Sequence, residues 1–285
     1  MTLTALAPLA RRTRDTGRGL LAVNVVHLEN AEAFVAAAEE TGLPIVLQIS
    51  QNAVRYHGTL APLARATLEI ARRTAAEVVV HLDHAEDEEL VRDALELGVP
   101  SVMYDGSRLP DEDNRERTRA MADLAHAAGA SIEAELGEVG GKDGVHDPTA
   151  RTDPEDAARF VADTGVDLLA VAVGSSHAMT TRDAQLDTDL ISALAGRLAV
   201  PLVLHGSSGV PDTALQEAVR AGMTKINIST HLNAMFTGAV REALDADPAL
   251  VDTRRWMREG RAVGQQEAIR LQRLLALTSG PPDGS

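Results

Sequence analysis

The fold is decided by one stretch, Val78-Val79-Val80-His81-Leu82-Asp83-His84, in which an apolar run leads directly into charged and imidazole side chains. Parallel strands that are buried on both faces read as continuous aliphatic runs of this kind. Seven further runs follow the same plan, and amphipathic helical segments separate them. The seven runs are Leu20–Val26, Pro44–Ser50, Ser101–Gly106, Ser131–Gly137, Leu168–Gly174, Pro201–Ser207 and Lys225–Thr230.

Helical periodicity of apolar residues fills the segments between these runs. The predicted helices are Ala31–Thr41, Leu60–Ala76, Asp87–Leu97, Arg115–Ala128, Pro154–Thr164, Leu186–Leu198, Asp212–Ala221 and His231–Leu244. Eight strands that alternate with helices can close into a barrel. A doubly wound open sheet is the alternative, but no G-x-G-x-x-G follows the first strand. Polar residues also stand at the end of nearly every run, whereas in an open sheet they would gather at one switch point.

The predicted fold class is therefore α/β, a single (β/α)8 TIM barrel that spans residues 1–277. This domain begins with an N-terminal helical segment within Met1–Gly17 and ends with an extra C-terminal helical segment, Arg254–Leu277. The last residues, 278–285, are Ser, Gly, Pro and Asp with one Thr, and we expect a disordered C-terminal tail there. The aperiodic stretch Glu138–Thr152, with three glycines, is expected to form a lid over the strand tips.

Composition excludes several classes of function. The chain has 285 residues, no cysteine, nine histidines and a formal charge of −15. Without thiolates, any metal site must use His, Asp and Glu. The negative charge disfavours nucleic acid, and no apolar run is long enough for a membrane span. Three arginines follow the apolar part of the N-terminus, which reverses the order of a secretion signal, so we expect a cytoplasmic protein.

The active site of a TIM barrel lies at the carboxyl ends of the strands, and the polar residues there form a coherent set. His84, His177 and His205 belong to three different strands, which barrel closure would bring to one mouth. Three imidazoles leave tetrahedral Zn²⁺ one open position, as in catalytic zinc sites. For any one of these histidines alone, the alternative is a structural histidine that is hydrogen-bonded at the end of a strand. His81 is expected to be structural or to support the metal ligands.

Carboxylates surround the predicted metal site. Asp83 is expected to act as a base or acid, or alternatively to cap the next helix. Asp105 and Glu135 would hold the imidazoles in place or bind a metal ion in a second position. The alternative is that they only line the site as polar residues. The five remaining histidines are assigned to surface or packing roles. They are His27, His57, His126, His146 and His231.

The last two strands are followed by short polar segments where barrels often bind phosphate. These segments are His205-Gly206-Ser207-Ser208-Gly209 and Asn227-Ile228-Ser229-Thr230. In isolation the first could be merely a turn. The only two lysines, Lys142 and Lys225, do not stand at strand tips, so an imine-forming route is disfavoured and a metal must stabilise the carbanion.

At this point the chain resembles the class II fructose-bisphosphate and tagatose-bisphosphate aldolase family, from Leu20 to about Trp256. The family's His-x-Asp-His appears as residues 81–84, its Glu-x-Glu-Leu-Gly as residues 133–137 and its His-Gly-x-Ser-Gly as residues 205–209. Asn227 and the small polar residues after it match the end of strand 8.

The resemblance implies a role for each matching residue. Asp83 is the proton donor to the aldehyde oxygen, and His84, His177 and His205 bind one catalytic zinc ion. Asp105 and Glu135 correspond to a buried alternate metal site. The residues that match substrate-binding positions are Asn24, Ser50, Ala178, Gly206, Ser208, Asn227, Ser229 and Thr230. The resemblance also implies a homodimer or homotetramer and allows a monovalent cation near the phosphate.

Three positions depart from the family pattern. Ala178 follows His177 where the family has glycine, and its methyl group restricts φ near the phosphate. Asp143 stands in the lid where the family has a proton-shuttling glutamate, and we assign it that catalytic role with a shorter reach. Residues 252–258 only partly follow the family's Asp-Pro-Arg pattern, so the acceptor pocket is expected to differ.

The sequence therefore predicts a zinc-dependent aldolase. It would cleave fructose 1,6-bisphosphate or tagatose 1,6-bisphosphate to dihydroxyacetone phosphate and an aldehyde through a metal-bound enediolate. A related aldolase with another acceptor, a non-catalytic sugar-phosphate-binding protein and a metal-dependent isomerase remain alternatives. The isomerase is disfavoured because it would normally recruit carboxylates as metal ligands.

Overall fold

Eight parallel strands form a closed barrel in a computed structural model that describes residues 4–136, 151–175 and 182–277. The strands follow chain order around the barrel, and β1 pairs with β8 to close it. Their bounds are β1 Leu20–Asn24, β2 Ile45–Ser50, β3 Val78–Ala85, β4 Ser101–Tyr104, β5 Ser131–Leu136, β6 Leu168–Val171, β7 Leu202–Leu204 and β8 Met223–Ile228. The predicted (β/α)8 TIM barrel is confirmed.

The helices alternate with the strands as the apolar periodicity predicts. They are α1 Leu6–Asp15, α2 Leu28–Thr41, α3 Gln51–His57, α4 Ala61–Arg73, α5 Glu88–Glu96, α6 Asp111–Ala127, α7 Pro154–Thr164, α8 Thr188–Arg197, α9 Asp212–Ala221, α10 Thr230–Ala246 and α11 Thr253–Leu275. The N-terminal and C-terminal helical segments of the prediction are α1 and α11. The boundaries of α7 and α9 agree residue for residue with the prediction.

Two short elements were not predicted from the sequence. Helix α3 has seven residues between the Ser50 cap and Gly58, whose φ of 78° ends the helix in the left-handed region. A 3-10 helix covers Ser207–Gly209. Both elements span too few residues for a helical periodicity to be visible, so neighbouring strand signals dominate.

The barrel interior has an apolar lower layer. Side chains of alternating strand residues, among them Ala22, Val46 and Val203, form one buried cluster with Leu6 and Leu9 of α1. Helix α1 therefore closes the amino-terminal end of the barrel with apolar side chains. Above this layer the interior side chains are polar, and they lead toward the carboxyl ends of the strands.

The extra helix α11 packs against α2, α9 and α10 on the outside of the barrel. Its last turn reaches the amino-terminal end, where Leu275 O accepts a 2.8 Å hydrogen bond from Gly19 N. A Cβ at residue 19 would lie 2.8 Å from Val219 Cγ2, so glycine allows this close approach.

The assignment of residues 1–277 to one domain stays a prediction. The expected tail at residues 278–285 lies outside the described residues. Among helices in the three described ranges, none combines the length and apolar character needed to cross a membrane.

Candidate active site

The strand register lines up the polar side chains of the first three strands. Asn24 pairs with Gln48, and Gln48 pairs with His81. Two residues nearer the mouth, Ser50 pairs with Asp83. Because side chains alternate between the two faces of a strand, these residues share the interior face. Gln48 Nε2 donates to Asn24 Oδ1 at 3.4 Å. Ser50 Oγ accepts from Ala53 N at 3.2 Å and so caps α3.

Strand β3 departs from regular pairing at the two residues that the sequence singles out. Leu82 pairs with Val102 and Ala85 with Tyr104, so β3 uses one residue more than β4 over this interval. His84 lies in the left-handed region with a φ of 50°, which is uncommon for a residue other than glycine. In a regular strand, adjacent side chains would face opposite sides. The irregular backbone lets Asp83 and His84 both reach the mouth.

The described residues contain two groups that could hold a metal ion. One ligand atom from each of Asp83, His84 and His205 lies within 4.8 Å of the others, and the same holds for His84, Asp105 and Glu135. The His84 and His205 rings approach to 4.4 Å between centroids. Two imidazoles with carboxylates beside them form a donor set that suits Zn²⁺.

Carboxylates contact both imidazoles. Asp105 Oδ2 lies 3.1 Å from His84 Nδ1, while its other oxygen accepts a 2.6 Å hydrogen bond from Ser107 Oγ. Glu135 Oε2 lies 3.1 Å from His205 Nδ1. The Asp105 contact is of the kind by which carboxylates commonly hold metal-binding imidazoles.

A fully buried chain of polar groups lies beneath His205. Glu133 Oε1 is 2.9 Å from His205 Nε2, and Glu133 Oε2 accepts a 2.9 Å hydrogen bond from Lys225 Nζ. Burial opposes charge on Glu133, but Lys225 and His205 outweigh it and hold the pKa of this carboxyl far below its usual range. Burial likewise opposes charge on His205, but the adjacent carboxylates of Glu133 and Glu135 raise its pKa to about 9.

Asp83 is almost completely buried beside its partners. Burial alone would raise the pKa of Asp83, but His84, Lys225 and His205 together lower it, so the side chain is a carboxylate at neutral pH. Asn227 Nδ2 lies 3.5 Å from Asp83 Oδ1. The alternative that Asp83 caps the following helix is wrong, because Asp87 is the cap of α5 and accepts from Glu89 N.

The segments after β6, β7 and β8 are joined by hydrogen bonds. Ser175 Oγ donates to His205 O at 2.6 Å, and Ser229 N donates to Ser208 Oγ at 3.2 Å. Gly206, with a φ of 67°, directs the chain into the 3-10 helix. Thr230 opens α10, so helix amide groups face the same corner of the mouth.

Several predicted site residues lie outside the described residues. They are His177 and Ala178 after β6, and Asp143 in the expected lid. The structure therefore brings together two of the three predicted imidazoles. His57, His126 and His231 contact Val26 O, Asp167 and Glu267 respectively, away from the metal groups.

Three residues of the site received no role from the sequence. Gln48 lies beside Asn24, and Glu133 and Lys225 form the buried chain beneath His205. Glu133 and Glu135 are two residues apart on one strand, which places both on one face. This spacing was the signal for Glu133, whereas nothing local marks Lys225 as its partner from strand β8.

Comparison with known proteins identifies the family of the chain. A sequence model of the family described as "Fructose-bisphosphate aldolase class-II" matches residues 4–278. The chain belongs to this family. A fructose-bisphosphate aldolase from Geobacillus stearothermophilus is 37% identical over 265 residues, covering 90% of this chain and 92% of that protein.

Two further relatives resemble the chain over nearly its full length. A protein described as a probable fructose-bisphosphate aldolase from Bacillus subtilis (strain 168) is 33% identical over 274 residues, which are 94% of this chain and 96% of that one. The crystal structure of the YdjI aldolase from Escherichia coli K12 superposes with a TM-score of 0.84 at 29% identity, covering 96% and 97% of the two chains. These relatives are aldolases, and aldolases are lyases.

Proposed function

We propose that this chain is a zinc-dependent aldolase that reversibly cleaves a phosphorylated ketose to dihydroxyacetone phosphate and an aldehyde. The observation that carries the proposal is the close grouping of Asp83, His84 and His205 at the mouth of a class II family barrel. The expected ketose is fructose 1,6-bisphosphate or tagatose 1,6-bisphosphate, and an aldolase with another aldehyde acceptor is the alternative.

His84 and His205 would hold the zinc ion, with His177 as the third ligand by sequence. When bound, zinc supplies a Lewis acid that withdraws electrons from the ketose carbonyl. Asp105 holds the His84 ring through its 3.1 Å contact with Nδ1, whereas Glu135 Oε2 lies 3.1 Å from Nδ1 of His205, on the metal side of that ring. They are also the residues that could ligate an ion in a second position with His84.

Asp83 would move the proton that carbon–carbon cleavage requires. Its lowered pKa leaves a carboxylate that can accept the hydroxyl proton during cleavage and return it to the aldehyde oxygen during condensation. Asn227 Nδ2 stands 3.5 Å from the Asp83 carboxylate and limits its orientation. Asp143 is proposed as a second proton-transfer residue from the lid segment.

The corner between the β7 and β8 segments would receive the phosphate of the donor. Gly206, Ser208, Ser229 and Thr230 lie there, with Ala178 expected nearby from sequence. Backbone amides and short hydroxyl side chains bind anions without requiring a basic side chain. Asn24 and Ser50, on strands β1 and β2 that continue the barrel next to β8, would contact the rest of the sugar. A monovalent cation near the phosphate remains a prediction.

The sequence offers five arginines as partners for a second phosphate, and the contacts of three of them bear on their rank. The five are Arg55, Arg108, Arg151, Arg182 and Arg258. Arg182 donates to Val210 O and to Asp212 and is thereby occupied within the fold. Arg55 and Arg108 both stand near Glu86, with nitrogen–oxygen distances of 3.9 and 3.8 Å, beside the mouth. Both are therefore better candidates than Arg182 for contact with an acceptor phosphate.

The cytoplasm is the proposed location, and a homodimer or homotetramer the proposed assembly. Both rest on the sequence and the family resemblance. Analytical ultracentrifugation of the purified protein tests the assembly directly.

The decisive experiment is a cleavage assay on metal-stripped and zinc-restored protein, with release of dihydroxyacetone phosphate as the readout. We expect activity to disappear on stripping and to return with zinc. Ligand-induced thermal stabilisation without turnover would instead indicate a binding protein. Ketose-to-aldose conversion without cleavage would indicate an isomerase, and either result would overturn the proposal.

A further inference from the structure

The barrel interior contains a carboxylate and an ammonium group that lie beneath the proposed metal site. The Glu133 and Lys225 side chains are both 0% exposed to solvent. Taking two charges out of water is costly, and an apolar pair of similar volume is often at least as stable. This ion pair therefore requires an explanation other than stability.

The contacts of Glu133 give that explanation. Its two oxygens have different partners, since Oε2 accepts from Lys225 Nζ and Oε1 contacts His205 Nε2, each at 2.9 Å. A carboxylate can only accept, so the Nε2 atom of His205 carries the hydrogen of this contact. Zinc binds only the neutral ring, so the hydrogen that leaves when the metal binds is the one on Nδ1, and the lone pair of that nitrogen then becomes the ligand.

Nδ1 is the nitrogen on the metal side of the ring. It lies 3.1 Å from Glu135 Oε2, a member of the second metal group, whereas Nε2 faces the buried ion pair. A carboxylate behind a metal-binding imidazole fixes both the tautomer and the ring orientation. Glu133 thus meets the geometric requirement for directing His205 toward a metal ion.

Lys225 fixes Glu133 in turn. Glu133 and Glu135 occupy the same face of β5, and the ammonium group from β8 is the cation in contact with the deeper carboxylate. His81 is a weaker partner, because its Nε2 lies 3.7 Å from Glu133 Oε2 and its Nδ1 is engaged by Ser101 Oγ.

We propose that Lys225 and Glu133 are positioning residues that hold His205 with Nδ1 directed at the catalytic zinc ion. The inference rests on the metal centre of the proposed function. It assigns the buried lysine of this aldolase a role in metal binding rather than in imine formation.

The test measures zinc affinity by competition with a chromogenic chelator, using folded full-length protein. The paired change Glu133→Leu with Lys225→Met removes both charges together, so neither charge is left buried without its partner. We expect zinc affinity to fall about 10-fold to 100-fold, the usual effect of losing such a supporting contact. Glu133→Gln keeps an oxygen for His205, and we expect a smaller but measurable loss, since a neutral acceptor bonds less strongly than a carboxylate.

Ser101→Ala is the matched control, because it removes a buried hydrogen bond from the same barrel layer and leaves the side chains of Glu133 and His205 in place. It should lower the melting temperature while leaving zinc affinity unchanged. Unchanged zinc affinity in the paired variant overturns the positioning role, as does an equal loss in Ser101→Ala. If the paired variant does not fold, unchanged affinity in Glu133→Gln overturns the positioning role instead.

The outcome is separable from that of the proposed function. If the unaltered protein binds no zinc, the metal centre itself is wrong. If the unaltered protein binds zinc and the variants bind it equally well, only the positioning role fails, whatever ketose the protein cleaves.

Discussion

At the scale of single residues, two adjacent positions divide the proposed chemistry between a proton carrier and a metal ligand. Asp83 is 2% exposed and contacts Asn227, while His84 contacts Asp105. Removing the Asp83 charge should therefore affect proton transfer more than metal binding, and removing an imidazole should affect metal binding first.

Asp83→Asn should retain zinc and lose cleavage by about 100-fold to 10,000-fold, the range expected for a general acid–base group. Steady-state kinetics and metal analysis on one sample would measure both effects. Asp87→Asn is the control, because Asp87 caps α5 and asparagine caps helices equally well. Near-normal turnover in Asp83→Asn would remove this residue from the mechanism.

His205→Ala should abolish bound zinc and activity while the barrel still folds. Circular dichroism would show whether the barrel folds, and the zinc stoichiometry would show whether the metal site is intact. The comparison variant is His126→Ala, whose ring contacts Asp167 at the surface and should leave both measurements unchanged. Full zinc stoichiometry in His205→Ala would contradict the assigned ligand.

The sequence predicted most of the site at this scale because strand tips in a parallel barrel share one end. Polar residues after aliphatic runs, such as Ser50 and His205, could be collected by position alone. Glu133 could not be assigned a role, because its function depends on contacts with strands β7 and β8. Such partners are distant in sequence and become neighbours only on closure.

At the scale of elements, a chain of ion pairs connects the starts of α9 and α10 to the body of α11. Glu267 of α11 contacts His231 Nε2 of α10 at 2.7 Å and Arg270 Nη2 at 2.7 Å. Arg270 also bonds Asp212 of α9, which accepts from Arg182 at 2.6 Å. Helix α11 thereby holds the start of α10 against the segments after β6 and β7.

This connection makes stability depend on pH. Burial would raise the pKa of Glu267, but hydrogen bonds from His231 and Arg270 lower it from 4.5 to about 2. Because the folded-state pKa is lowered, the contacts stabilise the protein above about pH 4.5. That stabilisation is lost progressively as the pH falls toward 2.

Glu267→Gln should therefore lower the free energy of unfolding by about 2 kcal/mol at pH 7 and by less than half as much at pH 3. Urea denaturation at the two pH values measures the difference. Glu259→Gln, on the exposed part of the same helix, should change little at either pH, because its 3.6 Å contact with Arg258 is open to solvent. An equal loss for Glu267→Gln at both pH values would refute the assignment.

Element types were predictable because each strand and long helix carries its own periodicity. Helix α3 and the shift between β3 and β4 were not predictable. The helix is short, and the shift depends on how β3 meets its neighbour. Local pattern contains neither kind of information.

At the scale of the whole molecule, the barrel interior is apolar at its amino-terminal end and polar toward its carboxyl-terminal end. Helix α1 fills the amino-terminal end with apolar side chains, and the polar groups gather toward the other end. The two functions of the interior, stability and chemistry, are therefore separated along the barrel axis.

Leu9→Ala should destabilise the protein by about 3 kcal/mol, because Leu9 is 2% exposed and its loss would leave a cavity under the barrel. Turnover at 25 °C should stay within about two-fold, since α1 lies at the end of the barrel opposite the metal groups. Thermal unfolding and kinetics on the same preparation would test both statements. Leu244→Ala, at a residue 38% exposed, should show little destabilisation, and a large fall in turnover for Leu9→Ala would contradict the separation.

The additional residue of β3 between Leu82 and Ala85 limits how this active centre could be transplanted. Placing the sequence Asp-His on a regularly paired strand of another barrel would turn one of the two side chains outward, toward the surrounding helices. Deleting a single residue from this interval would have the same effect in the native chain. A designer who wants the pair must therefore copy the irregular backbone together with the amino acids.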